Sequence, residues 1–197
     1  MSLRIAIAVF DGAEELDFVG PWEVLAAWRD HGSADFDVEV VLVGESSAPV
    51  TCAKGMRVVP HTSWDSLGDV DVLVYPGGRG TRPQLGDEAI RARLRTLRER
   101  GTLMTSVCTG SLVYADAGLL DGRPATTYWS AFDTLLQLGR DIDAQPDARF
   151  VDDGDVITAA GVSAGIDMAL HLVGRLGSPE QAREVRRYIQ YDPKPPY

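Results

Sequence analysis

Short apolar runs and amphipathic stretches alternate along the 197 residues, and this alternation predicts the architecture. Leu3 to Val9 is a nearly unbroken apolar run, as expected of a strand buried on both faces. Gly20-Pro21 then opens a helix carrying Trp22, Val24, Leu25 and Trp28, with the proline in a first turn that does not need its N–H. Phe36 to Val43 predicts a second strand, and Val50 to Pro60 predicts a hairpin turning at Lys54-Gly55. A further strand, Val70 to Tyr75, stops abruptly at Pro76-Gly77-Gly78. Ile90, Leu94 and Leu97 recur at helical spacing, and Gly101 closes that helix. Leu103 to Val107 is the next strand, running directly into Cys108.

Beyond it the pattern predicts a short helix over Leu112 to Ala117, a mixed segment at PATTYW, and a helix over Ala131 to Leu138. Ala148 to Val151 and Asp155 to Ala159 are two strands around a turn at Asp153-Gly154. Ile166, Leu170 and Val173 mark another helix. Ser178-Pro179-Glu180-Gln181 starts the last one, with the serine cap and third-position glutamine of a capping box. The ending DPKPPY is not helical. Strands alternating with helices imply one α/β sandwich over residues 1–197. Its central sheet is mainly parallel and covered on both faces, with the hairpin as a small addition.

Composition narrows the function classes. An apolar fraction of 45% supports one well-packed domain, and a net charge of −10 argues against nucleic acid or an anionic membrane as partner. No run approaches the ~18 apolar residues of a membrane span. MSLRIAIAVFDG turns acidic too soon for a secretory signal. Two cysteines fit a reduced, cytoplasmic protein better than a disulfide scaffold, and Cys52, in the hairpin, is read as packing.

Ligands of open α/β sheets bind beyond the carboxyl ends of strands, and three stretches fall at such ends. Cys108 is followed by the small or hydroxylic Thr109, Gly110 and Ser111, so the backbone can turn sharply there. A cysteine at a strand-to-helix junction faces helix amides that favour the thiolate. A buried, unreactive cysteine satisfies the same pattern, and the residues alone leave both readings open. Gly77 and Gly78, in PGGRG, offer backbone amides for an oxyanion, or simply a tight turn. The spacing is not G-x-G-x-x-G, since Pro83 breaks it, and no G-K-[ST] follows for a phosphate loop. Asp17, between Leu16 and Phe18, is either a partly buried acid of raised pKa, suited to proton transfer, or a solvated helix-start residue.

Gly161-Val162-Ser163-Ala164-Gly165 matches a serine-nucleophile elbow, but the only later histidine is His171, two turns along the same helix. That is about 12 Å of helical rise, beyond reach of Ser163. His31 and His61 have no spacing that places them opposite Cys108, and no cluster of metal ligands is present.

Together the stretches VFDGAEELDFVGPWEVL, VLVYPGGRG, TSVCTGSLVYADAGLLDGRPATTYW, ITAAGVSAGIDMAL and YDPKPPY resemble the DJ-1/PfpI (ThiJ) branch of the class I glutamine amidotransferase-like superfamily, nearly end to end. Within it, the L-D-x-x-G-P and S-V-C-T-G-S-L-V signatures are similar to those of the isocyanide hydratase subgroup. The resemblance implies a flavodoxin-like three-layer sandwich, usually a homodimer, with Cys108 as nucleophile on a strained elbow and Asp17 as the acid paired with its sulfur. Thr109 would contribute its backbone N–H and hydroxyl, and Gly78 an opposing amide. The chain departs from the pattern at Tyr128, where many relatives carry a histidine. Peptidase, amidase and deglycase chemistry, which needs a histidine beside the thiolate, is weakened by that change. Tyr128 is left to bind ligand or to pack. The expected activity is cofactor-independent hydration of a small isocyanide, with a redox-sensing or non-catalytic protein and a cysteine hydrolase of another small amide or ester as the alternatives.

Overall fold

The computed structural model describes residues 2–31 and 37–194. Phe36, expected to begin the second strand, and the last three residues of the DPKPPY ending lie outside them. In chain order the elements are β1 (Ser2–Ala8), α1 (Glu15–His31), β2 (Asp37–Gly44), β3 (Val50–Thr51), β4 (Arg57–Val58), β5 (Thr62–Ser63) and β6 (Val72–Tyr75). They continue as α2 (Glu88–Glu99), β7 (Leu103–Val107), α3 (Gly110–Asp116), β8 (Pro124–Ala125), α4 (Phe132–Leu138), β9 (Asp143–Ala144), β10 (Phe150–Asp152), β11 (Val156–Ala159), α5 (Ala164–Leu176) and α6 (Pro179–Tyr188).

Seven strands form the central sheet in the order β10-β11-β7-β6-β1-β2-β5. All neighbours run parallel except the edge strand β10, which is antiparallel to β11. The inner strands β6, β7 and β11 are buried at every position, the mark of a sheet covered on both sides. Alternate residues feed two cores. Ile5, Ile7, Val74 and Val107 pack with Phe18, Leu25 and Trp28 of α1 and Met168 and Leu172 of α5. Ala6, Ala8, Leu73 and Met104 pack against Leu94 and Leu97 of α2 and Leu112 and Tyr114 of α3. This three-layer sandwich is the flavodoxin-like arrangement, with the hairpin β3–β4 as a separate two-stranded sheet. The predicted cap is present: Ser178 Oγ accepts the Gln181 N–H at 3.2 Å.

One expectation is corrected. α1 starts at Glu15 and runs through Pro21, rather than opening at Gly20-Pro21. Proline removes the N–H that would bond the Asp17 carbonyl one turn earlier, so a proline reads locally as a start. Tertiary bonds hold the extra turn: the Glu14 N–H donates to Gly77 O at 2.9 Å, and the Gly77 N–H donates to Asp17 Oδ2 at 2.8 Å. The consequence is functional, because Asp17 becomes a first-turn helical residue pointing under the sheet ends. β5, β8 and β9, two residues each, are too short for any period to reveal them.

Leu73 is fully buried at the middle of the sheet. Its replacement by alanine is expected to lower stability by about 2–5 kcal/mol. In urea denaturation the midpoint should fall with an unchanged slope.

Candidate active site

β7 delivers Cys108 to the carboxyl end of the sheet, and the chain turns there through a left-handed conformation, with φ 58° at Cys108. A side-chain-bearing residue is strained in that region and stays only where its neighbours hold it. They do so on both sides of the residue. The Cys108 N–H is shared between the carbonyls of Ala159 and Ala160, each at 3.0 Å. The Cys108 carbonyl accepts from Ser111 Oγ at 3.0 Å and Thr127 Oγ1 at 3.1 Å. Cys108 is 6% exposed, so little of it meets solvent.

Asp17 rises from α1 to meet it. The carboxyl is fully buried, and its Oδ2 accepts the Gly77 N–H at 2.8 Å. Oδ1 is buried without a full hydrogen bond, and the carboxyl's remaining interaction is with the Cys108 thiol. Burial dominates the electrostatics and raises the Asp17 carboxyl from 3.8 to about 7, against the lowering effect of the Gly77 N–H. Burial also pushes Cys108 up to about 12, and the Asp17 charge pushes in the same direction. The backbone N–H groups of Thr109 and Val162 point at the sulfur and oppose the rise. The expectation that helix amides alone would favour the thiolate is therefore corrected: desolvation and the neighbouring carboxylate outweigh them. The site has room for one negative charge, so carboxyl and thiol share a proton as a pair.

The glycine loop also does something other than expected. The Gly77 N–H is committed to Asp17, and the Gly78 N–H donates to Thr109 Oγ1 at 3.0 Å. These amides cradle the acid and Thr109 instead of standing free as oxyanion donors. Gly77 must be glycine, because a Cβ there would lie 2.5 Å from Thr109 N and 2.9 Å from Asp17 Oδ2. Thr81 Oγ1 completes the cluster, donating to Gly78 O at 2.8 Å.

Val162 escaped sequence reasoning as a site residue. It too is left-handed, with φ 50°, unusual for a β-branched side chain, and that conformation aims its N–H at the sulfur. The sequence signal there, GVSAG, is set aside as a serine elbow, and Ser163 Oγ accepts from Arg149 at 3.2 Å. Tyr128 packs its ring where a Gly161 side chain would be, beside Val162, and stands 5.6 Å from the exposed Trp129 ring. The histidines are engaged elsewhere: His31 on Tyr188, His61 on Trp22 and the Leu42 N–H, and His171 on Asp152. Among the described residues no group of three or more His, Cys, Asp or Glu is gathered for a metal ion. Cys52 is buried in the hairpin region, and burial raises its thiol.

The site thus joins a left-handed cysteine at a strand end, a buried acid from α1 on the opposite face of the sheet from α3, and a glycine loop between them. The DJ-1/PfpI family model matches residues 3–175. The chain belongs to the DJ-1/PfpI family. It is 38% identical to the isonitrile hydratase of Pseudomonas putida, over all of this chain and 82% of that protein. A ThiJ/PfpI family protein from Pseudomonas syringae superposes with a TM-score of 0.88 at 34% identity, covering all of this chain and 78% of its own. Drosophila melanogaster DJ-1beta superposes at 0.86 with 25% identity, over 98% of this chain and all of its own. No helix of the described residues is long and apolar enough to cross a membrane.

The buried acid makes stability depend on pH. Below 3.8 Asp17 is protonated whether the chain is folded or not, and its effect is nil. From 3.8 up to about 7 only the unfolded chain releases the proton, so stability is lost across that window. Asp17→Asn lacks this penalty, and its advantage over wild type should grow from pH 4 to a plateau of about 4 kcal/mol above pH 7. Urea denaturation of both proteins at pH 4, 5.5 and 8 measures the difference.

Proposed function

We propose that this protein hydrates a small isocyanide, R–N≡C, to an N-substituted formamide, with Cys108 as nucleophile and Asp17 as acid and base. The observation that carries the reading is the burial of Cys108 and Asp17 against each other with no histidine among their partners. Such a pair can exist as thiolate beside carboxylic acid, the state in which both reactants of the first step are ready. The thiolate adds to the terminal carbon, and the lone pair left on that carbon takes the Asp17 proton, giving a thioimidate. Asp17, now ionised, takes a proton from water as the water adds to the same carbon. It passes that proton to the nitrogen, and as the tetrahedral adduct collapses to the formamide, expelling Cys108 as thiolate, it takes the hydroxyl proton, which regenerates the pair. One water is consumed and no redox change occurs.

The near-complete burial of Cys108 suits a slim, linear head group. The amides of Thr109 and Val162 steady the sulfur whenever it carries charge. The likeness to an isonitrile hydratase across the full chain supports the same reading. A homodimer, the assembly the family resemblance implies, is part of the proposal, and sedimentation at twice the monomer mass would check it.

Incubation with an alkyl isocyanide should yield the matching formamide, with kcat/KM rising as pH passes through about 7, where the pair loses its first proton. Cys108→Ala should be inactive, and equal turnover by wild type and Cys108→Ala would end the assignment. Asp17→Asn should lose about 10²–10⁴-fold in turnover. Its Cys108 should nevertheless alkylate at lower pH than wild type, because the carboxylate that raised the thiol is gone.

A further inference from the structure

From the hydrogen bonding of the elbow we infer that Thr127 is a positioning residue for Cys108: its hydroxyl, by holding the Cys108 carbonyl, aims the following Thr109 N–H at the sulfur. The inference builds on the nucleophile reading proposed above. The carbonyl of Cys108 and the N–H of Thr109 belong to one planar peptide group and point in opposite directions. Fixing one fixes the other. The carbonyl accepts from two hydroxyls, Ser111 Oγ at 3.0 Å and Thr127 Oγ1 at 3.1 Å, while the Thr109 N–H reaches Cys108 Sγ.

The two donors are not equivalent. Ser111 sits three residues along, in the first turn of α3, and moves with the elbow it bonds. Thr127 comes from the segment after β8, is 1% exposed, and supplies an external reference. That segment is tied to the central sheet by the Thr126 N–H on Thr158 Oγ1 at 2.9 Å, and to the stretch after β9 by the Gln145 N–H on Ala125 O at 2.8 Å. Among the described residues Thr127 is the donor from outside the elbow that reaches the carbonyl. The amide side of Cys108 is anchored to Ala159 and Ala160. Without Thr127 the strained residue is held firmly at one end, and its outgoing peptide is free to rotate toward a relaxed conformation. Rotation withdraws one of the two backbone donors from the sulfur, so the thiolate loses support while the sulfur and Asp17 keep their places.

The test is the rate of Cys108 alkylation by iodoacetamide at about pH 8, followed by mass spectrometry on the intact protein. It needs no isocyanide turnover. Thr127→Val removes the hydroxyl at constant shape and should slow alkylation about tenfold relative to wild type. Thr127→Ser, which keeps the donor, should restore the rate. Thr126→Val is the control, since the Thr126 hydroxyl faces Ala148 O instead of the elbow, and it should alkylate at the wild-type rate. Where isocyanide hydration is measured, Thr127→Val should lower kcat about tenfold with KM little changed. A Thr127→Val rate equal to wild type, or an equal slowing in Thr126→Val, overturns the inference. If Thr127→Val does not fold, the comparison passes to Thr127→Ala and Thr127→Ser, which must differ in rate for the inference to stand. A slowed alkylation without any hydration would overturn the proposed activity and leave the positioning role intact.

Discussion

An acid and a thiol buried against each other, with space for a single negative charge, form the interaction on which the site depends. Water would let both groups ionise independently. Removing it raises both, Asp17 to about 7 and Cys108 to about 12, and binds their titrations together. The same desolvation that makes the resting thiol a poor anion keeps a proton beside the sulfur. The donors that counter it, from Thr109 and Val162, are backbone groups whose positions are set by two residues in left-handed conformations.

The sandwich supplies what those conformations need. Parallel strands buried on both faces end at a common edge, and β7 places Cys108 there with its N–H pinned to the end of β11. β6, its neighbour, delivers Gly77, close enough that any side chain would strike both Thr109 and Asp17. α1 reaches the same place from the other side of the chain by running through Pro21. Each contributor belongs to a different strand–helix unit, so the site exists only when the sheet is assembled. The strain at Cys108 is small against the packing of the two cores that enforce it.

Much of the fold was legible because it depends on neighbours in sequence. The apolar runs of β1, β6, β7 and β11 and the helical spacing of Ile90, Leu94 and Leu97 are local periodicities, and they survive in the structure. Cys108 was legible too, since a strand running into small, hydroxylic residues leaves the backbone little choice but to turn. Where local rules competed with distant contacts, they failed. Proline marked a helix start at Pro21, but bonds from Glu14 and Asp17 to the Gly77 loop added a turn ahead of it. The GVSAG motif is set aside as a serine elbow, but no local rule marks the adjacent Val162 N–H that points at the sulfur.

By itself, then, the sequence determined the succession of strands and helices along the chain, the burial of the strands and the sharp turn at Cys108. These follow from residue type and spacing within a dozen positions. Only the tertiary structure decided the rest: that Asp17 lies buried under Cys108, that the Gly77 and Gly78 amides are spent on Asp17 and Thr109, and that the thiol is raised instead of lowered. Burial and hydrogen-bond commitment are properties of groups brought together from distant parts of the chain. The strand order β11-β7-β6-β1 that unites them is set by how whole faces pack, and no short stretch of residues encodes that.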